Sequence, residues 1–298
     1  MFHVKHHRFT GSTPLRGRQA LCIEAAAEAA DSIPPGGETM AEDITRPEDM
    51  GKEDLARFVL DIFHRIAVHH TLWLREVEHQ MGMPKALGVL GTAYGETYAV
   101  QMKRMAKLFN FELVDGIPKP LLERSREELL EAADEVSKNW LANDGIWFQA
   151  VEFAHGMNDA KRCNDSCWTR YSPFEAWSIR RLLHLSERPG LEGLKTALRF
   201  RTYARVNVQT IINEGTESFV FQMNDCRVQS ARKRKGLDDY PCTSVGLVEY
   251  TYFAEAIDPR IETECIGCPP GPHPEEWYCA WRFRLKAPGE SHAAGGHP

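Results

Sequence analysis

Trp147-Phe-Gln-Ala-Val151-Glu152-Phe-Ala-His-Gly156-Met157 repeats Trp73-Leu-Arg-Glu-Val77-Glu78-His-Gln-Met-Gly82-Met83 at a constant offset of 74 residues, with five identities in eleven positions. At the same offset Glu53 and Leu55 fall on Glu127 and Leu129, and Met105 falls on Ile179. Two copies are too few for a solenoid. A duplicated helical hairpin, giving a four-helix bundle, is the simplest architecture they specify.

Outward from the repeat, the helical period is plain. Leu55, Phe58, Ile62, Ile66, Trp73 and Val77 predict one amphipathic helix from Lys52 to about Met81. A second follows Pro84 through Tyr94, Tyr98, Met102, Met105 and Leu108, and is over by Pro118 and Pro120. A third, from Glu127, sets Leu129, Ala133, Val136, Trp140, Trp147 and Val151 on one face. Cys163 and Cys167, four apart on the fourth helix, read as small core residues. Ser172, Pro173 and Glu175 carry the N-cap, first-turn proline and capping-box signals of a helix restarting there and running to about Leu185.

The repeat also matches two polar positions on the expected core-facing stripe. His70 lies three before Trp73, and Asp144 three before Trp147. An imidazole and a carboxylate facing each other across a pseudo-two-fold axis would make an acid/base pair or a ligand grip. The plainer alternative is two satisfied polar groups near helix bends.

After Pro189-Gly190 the pattern changes. A helix over about 191–200 precedes two alternating runs, Val206/Val208/Thr210 and Phe219/Phe221/Met223, joined by the turn Asn213-Glu-Gly215-Thr. A helix capped by Ser244 runs to Ile257, a strand covers 260–264, and another covers 278–285. Between those last strands lies Cys265-Ile-Gly-Cys268-Pro-Pro-Gly-Pro-His273-Pro-Glu-Glu-Trp-Tyr-Cys279, a loop too rich in proline to be helical. The fold class is therefore α+β: a helical bundle followed by a small antiparallel sheet with helices on one side and a Cys-rich loop.

Thiolates suit zinc or an iron–sulfur cluster, which take four ligands. Cys265-x2-Cys268 is a bidentate half-site, and a hairpin would bring Cys279 near it. Cys226 or Cys242 would supply the fourth ligand, with His273 as competitor. A second chemistry for the same residues is a cysteine nucleophile, with His273 or Glu275 as base and Arg227 stabilising an anion. Arg227 and Gln229, beside Cys226, are the ligand-gripping candidates of a basic run that continues through Arg232, Lys233, Arg234 and Lys235. The plainer reading of that run is a solvated helix face.

The chain has 298 residues, a net charge of −6 and eight cysteines. An acidic balance argues against general nucleic-acid binding, and no apolar run reaches the ~20 residues of a membrane helix. The expected compartment is the cytoplasm, where cysteines are thiols or metal ligands rather than disulfides. Residues 1–51, with His3, His6 and His7, read as a disordered leader, of which the first 39 would be an upstream mis-start before Met40. Residues 52–188 are expected as the duplicated bundle, 189–288 as the α+β Cys-rich domain and 289–298 as a disordered tail.

Asn139-Trp140-Leu…Asp144-Gly145-x-Trp147-Phe148, Met223-Asn-Asp-Cys226-Arg227-Val-Gln229, Pro241-Cys242, Ile257-Asp258-Pro259-Arg260 and Cys265-x2-Cys268-Pro-Pro…His273-Pro…Cys279-Ala-Trp281 together resemble an uncharacterised bacterial cytosolic domain-of-unknown-function family, over roughly residues 126–286. More distantly, the element order is similar to 4-vinyl reductase domains and to L-2-amino-thiazoline-4-carboxylic acid hydrolase-like proteins. The first similarity implies small-molecule binding beside a cysteine-bound metal; the second implies a cysteine-linked hydrolase opening a ring.

The expected function is a metal-binding protein, with zinc favoured and an iron–sulfur cluster as the rival, that binds a small molecule between the helical layer and the α+β part. Metal ligands would come from Cys226, Cys242, Cys265, Cys268 and Cys279. His70, Asp144, Trp147, Arg227 and Gln229 would line the ligand site. A cysteine-dependent hydrolase of a cyclic C–N bond and a structural partner-binding protein are the alternatives. The expected partners are a small-molecule ligand and a second copy in a homodimer, with neither nucleic acid nor membrane.

Overall fold

The computed structural model describes residues 44–286. The leader histidines and the tail from Gly289 lie outside the described residues. The described end of the expected leader contains a 3-10 turn at Pro47–Asp49. The chain divides into two compact units between Gln80 and Met81.

The first unit holds helix α1 (Lys52–Met81), which buries no side chain. The second begins with α2 (Met83–Phe109), which ends at Asn110 in the left-handed conformation. A two-residue hairpin, β1 (Leu113–Val114) and β2 (Ile117–Pro118), turns at Asp115-Gly116 and leads into the short α3 (Lys119–Leu122). Helix α4 (Arg126–His155) follows, then α5 (Met157–Leu182).

The duplication is written in the backbone. Helices α1 and α4 are each 30 residues long, and each ends at a single glycine that begins the next helix. Gly82 stands at φ 81°, ψ 158° and Gly156 at φ 91°, ψ 166°. A side chain is all but excluded from that region, so only glycine turns the chain there without strain.

Two helix expectations change. Helix α5 does not restart at Ser172; it runs straight through Pro173. Ser172 is fully buried with an unpartnered hydroxyl, and the Glu175 carboxylate leaves its own helix for Arg201 Nε (2.8 Å), Thr202 N (2.7 Å) and Thr202 Oγ1 (2.9 Å). A tertiary ion pair has outcompeted a local cap. The capping box of this region lies instead at Ser125 and Glu128, where α4 starts. The face of α4 is also rotated from the expected one. Ser137, Trp140, Leu141, Asp144 and Phe148 point inward, while Trp147 is 76% exposed and Val136 67%. Cys163 and Cys167 are exposed rather than core residues.

The α+β part contains α6 (Gly190–Leu198), β3 (Val208–Asn213), β4 (Ser218–Asp225), α7 (Arg227–Arg234), α8 (Cys242–Ile257), β5 (Ile261–Gly267) and β6 (Cys279–Leu285). The four strands form one antiparallel sheet in the order β3-β4-β6-β5. Period-2 alternation sends Phe219, Phe221, Met223, Cys279, Trp281 and Phe283 into the core. The opposite face carries a charged ladder, with Arg282 between Glu214 and Glu264 and Arg284 on Glu262. Helix α5 packs on α4 and on α8, and α8 packs on β5.

Trp168, Ala176 and Ile179 from α5 share one hydrophobic core with Leu194, Phe253 and Trp281. Arg180 Nη1 adds a bond to the Ala256 carbonyl at 2.9 Å. The boundary expected at 188/189 therefore runs through a single core. The protein is α+β with a helical bundle, and no helix among the described residues is long and apolar enough to cross a membrane.

Candidate thiol-lined ligand cavity

A cavity of about 580 Å³ lies between α4 and α5 on one side and α7, α8 and the sheet on the other. Cys226, Cys242, Cys268 and Cys279 all line it. They come from four separate elements, and each is carried there by local bonds. Cys226 is the residue before α7, where Asn207 Oδ1 receives the Arg227 amide at 2.9 Å. Cys242 opens α8, two residues earlier than the Ser244 cap predicted. Gln229 holds Tyr240 by both backbone groups (2.8 and 3.0 Å), fixing the chain just before Cys242. Thr243 fastens the start of α8 to the carbonyls of Cys268 (3.3 Å) and Pro269 (3.0 Å). Cys279 is opposite Met223 in the β4–β6 register, and the neighbouring Tyr278 amide donates to the Met223 carbonyl at 2.8 Å.

The thiols interact with one another. Hydrogen bonds that its S–H donates to Cys242 and then Cys279 push the Cys268 thiol far above its ordinary range. Burial, despite the opposing amides of Gln229 and Val228, pushes Cys226 up to about 12. Burial and then Cys279 raise Cys265, which hydrogen-bonds to Cys268 but does not line the cavity. Strand β5 runs through Cys265, so that residue belongs to the sheet and not to the loop. His273 lies outside the cavity lining, with Nδ1 2.8 Å from the Pro274 carbonyl.

As a donor set, four soft sulfurs match zinc or an iron–sulfur cluster in number and kind. Cys226 and Cys242 also sit at helix N-termini. Among the described residues no group of three or more His, Cys, Asp or Glu side chains is already posed at metal-ligand positions. Within the set, Cys268 is hydrogen-bonded to Cys242 and to Cys279, and Cys226 to backbone amides.

The remaining wall is aromatic and carboxylic. Trp140 makes an edge contact with Trp168 (centroids 6.2 Å), and Phe148 does so with Tyr240 (5.0 Å). Asp144 faces the cavity from α4 and is raised to about 6, first by burial and then by Glu249. Behind the wall, fully buried Arg201 binds Glu175 and, through Nη1, Glu249 at 2.7 Å; Tyr203 donates to the same Glu249 oxygen and lies 3.1 Å from Tyr250. Burial raises Glu249, against the pull of Arg201. Beside Cys242, Lys161 is held by Asp165 (2.9 Å) and donates to Tyr240 Oη at 3.0 Å.

The expected ligand residues divide. Asp144 and Arg227 line the cavity with the four thiols. Trp147 points away into solvent, and Phe148 takes the inward position. His70 lies on α1, in the first unit, and is exposed. Gln229 is buried, but its amide is consumed by Tyr240 and by Cys242 Sγ (3.3 Å), so it shapes the site without lining it. Sequence reasoning missed Glu249, Tyr203, Tyr240 and Trp281. Their partners are distant in the chain, so no local spacing could have announced them. A wider cleft of about 1000 Å³ around Trp177, Arg181 and His184 collects no cysteine.

No curated protein and no solved structure matches the chain. A family model described as a family of unknown function (DUF6125) matches residues 121–285, more than half of the chain, and the chain belongs to that family.

Proposed function

We propose that the protein holds a metal ion, zinc in the first place, on Cys226, Cys242, Cys268 and Cys279, and binds a small molecule in the adjoining cavity. The observation that carries this is the convergence of four thiols from four chain segments on one cavity between the helical layer and the sheet. Zinc there would replace thiol hydrogen bonds by four bonds from thiolates, stapling α7, α8 and the β5–β6 loop together. The seven described cysteines are all free thiols, as a reducing compartment such as the cytoplasm keeps them. The cysteine-nucleophile alternative has less support, because the surroundings of Cys226, Cys265 and Cys268 disfavour a thiolate in the absence of a metal.

Metal analysis of the anaerobically purified full chain tests the proposal. The expected result is about one zinc per chain and no colour. Cys268→Ser is expected to lose the metal and lower the melting temperature, while Cys265→Ser keeps both. A brown protein would replace zinc by an iron–sulfur cluster. Metal-free protein with one thiol alkylated far faster than the rest would overturn the metal reading in favour of the nucleophile.

A further inference from the structure

We infer that the ligand of this cavity is a flat, ring-bearing organic molecule with a single anionic group, its ring lying against Trp140, Phe148 and Trp168 and its anion received by Arg227. The inference rests on the ligand half of the function proposed above.

The argument for the anion is one of unspent charge. Other cations of the cavity wall are already engaged. Arg232 makes a two-pronged pair with Glu152 (2.8 Å each), Lys235 reaches Gln149 at 3.1 Å and Lys138 reaches Glu135 at 2.6 Å. The Arg227 guanidinium has no acceptor among the described residues. It also sits in the first turn of α7, where a cation opposes the helix dipole, and no acidic residue shares that turn. The Arg227 backbone amide is fixed by Asn207, while its exposed guanidinium is uncommitted and lines the cavity.

A second, independent observation points to an occupant. Trp281 is fully buried, lines the cavity, and its Nε1–H has no acceptor among the described residues. A buried donor left without a partner carries a desolvation cost that an acceptor brought into the cavity would relieve. The ring follows from the walls, where aromatic faces and edges already contact one another at 5–6 Å spacing and would receive a flat ring in the same manner. The limit of one anionic group follows from Asp144 and Glu249, which also face the cavity. A second anion placed near them would meet like charge, so the anionic end lies at Arg227 and the uncharged ring extends toward Asp144.

The test uses the full chain as purified, with metal content measured on the same sample. Naphthalene-2-carboxylate, naphthalene-2-carboxamide and cyclohexanecarboxylate are titrated by calorimetry. The naphthoate is expected to bind at least about tenfold tighter than the carboxamide, a margin typical of one charge-assisted contact, and tighter than cyclohexanecarboxylate, which keeps the anion but lacks the flat ring. Arg227→Gln should remove the margin of the naphthoate over the carboxamide, weakening the two carboxylates and not the amide, without changing metal content or melting temperature, and Arg227→Lys should restore part of it. Equal binding of acid and amide, an unchanged affinity in Arg227→Gln, or no binding by a metal-loaded protein overturns the inference and leaves the metal reading standing. The expected pattern in a metal-free protein supports the inference and removes the metal half of the proposed function.

Discussion

Asp144 shows what the cavity does to a single group. Burial, then Glu249, holds its carboxyl at about 6 in the folded protein against 3.8 as the ordinary value. A folded-state value above the unfolded one means that the native protein binds the proton more tightly. Stability therefore falls as pH rises through the window from about 4 to about 6, and the cost is fully present above it. A shift of about two units corresponds to roughly 3 kcal/mol, and partial exposure lowers the figure. Asp144→Asn should thus stabilise the protein by about 1–3 kcal/mol at pH 8 and have no effect at pH 4, read by urea unfolding at both values. An equal change at the two pH values would mean that the carboxyl's charge is not the cause. Arg201 is the opposite case: a buried charge answered by Glu175 and Glu249 and covered by the rings of Tyr203 (4.4 Å) and Phe253 (4.5 Å). It braces the cavity wall from behind through these ion pairs, with Nη2 left without a hydrogen-bond partner among the described residues.

At the scale of elements, the glycine joints decide the layout. Gly156 connects two long helices with no loop between them, at a φ of 91° that a side chain resists. Gly156→Ala should destabilise the protein by about 1–3 kcal/mol, read by thermal melting. A neutral result would show that the joint relaxes into another conformation. Among the described residues nothing beyond its two chain neighbours lies within 4 Å of the added methyl position, so the cost would come from the backbone and not from a clash. Helix α7 is the other decisive element. Its basic residues look like a solvated face in sequence, but Arg232 is buried and ties α7 to α4 through Glu152, closing one side of the cavity.

At the scale of the molecule, burial is uneven. The core cluster runs from Trp168 to Phe283, whereas α1 buries no side chain and leaves Leu60, Leu72 and Trp73 more than half exposed. Local stability follows buried contact. Hydrogen exchange on the full chain should find the α1 amides exchanging orders of magnitude faster than those of α5 and α8. Equal protection would mean that local burial does not set the stability of α1.

The sequence by itself determined whatever depends on near neighbours. Helical periodicity and the 74-residue offset are local signals, so the paired helices, their glycine ends and the α+β class could be read directly. Alternation along Phe219–Met223 and Trp281–Leu285 likewise specified strands whose inward face packs on helices. Cys226, Cys242, Cys265, Cys268 and Cys279 could be named as a group, because they fall close together in the C-terminal part of the chain, but that Cys265 stays out of the cavity lining was not legible. Only the tertiary structure decided which face of α4 turns inward. A helix with apolar residues on two sides has two plausible phases, and Asp144 with Phe148 won over Trp147 because α5 and Tyr240 cover that side. Only the tertiary structure decided that Glu175 abandons its cap for Arg201, and that Gln229 serves Tyr240 rather than a ligand. A side chain chooses the partner that satisfies its charge after burial, and those partners lie 11 to 80 residues away in the chain.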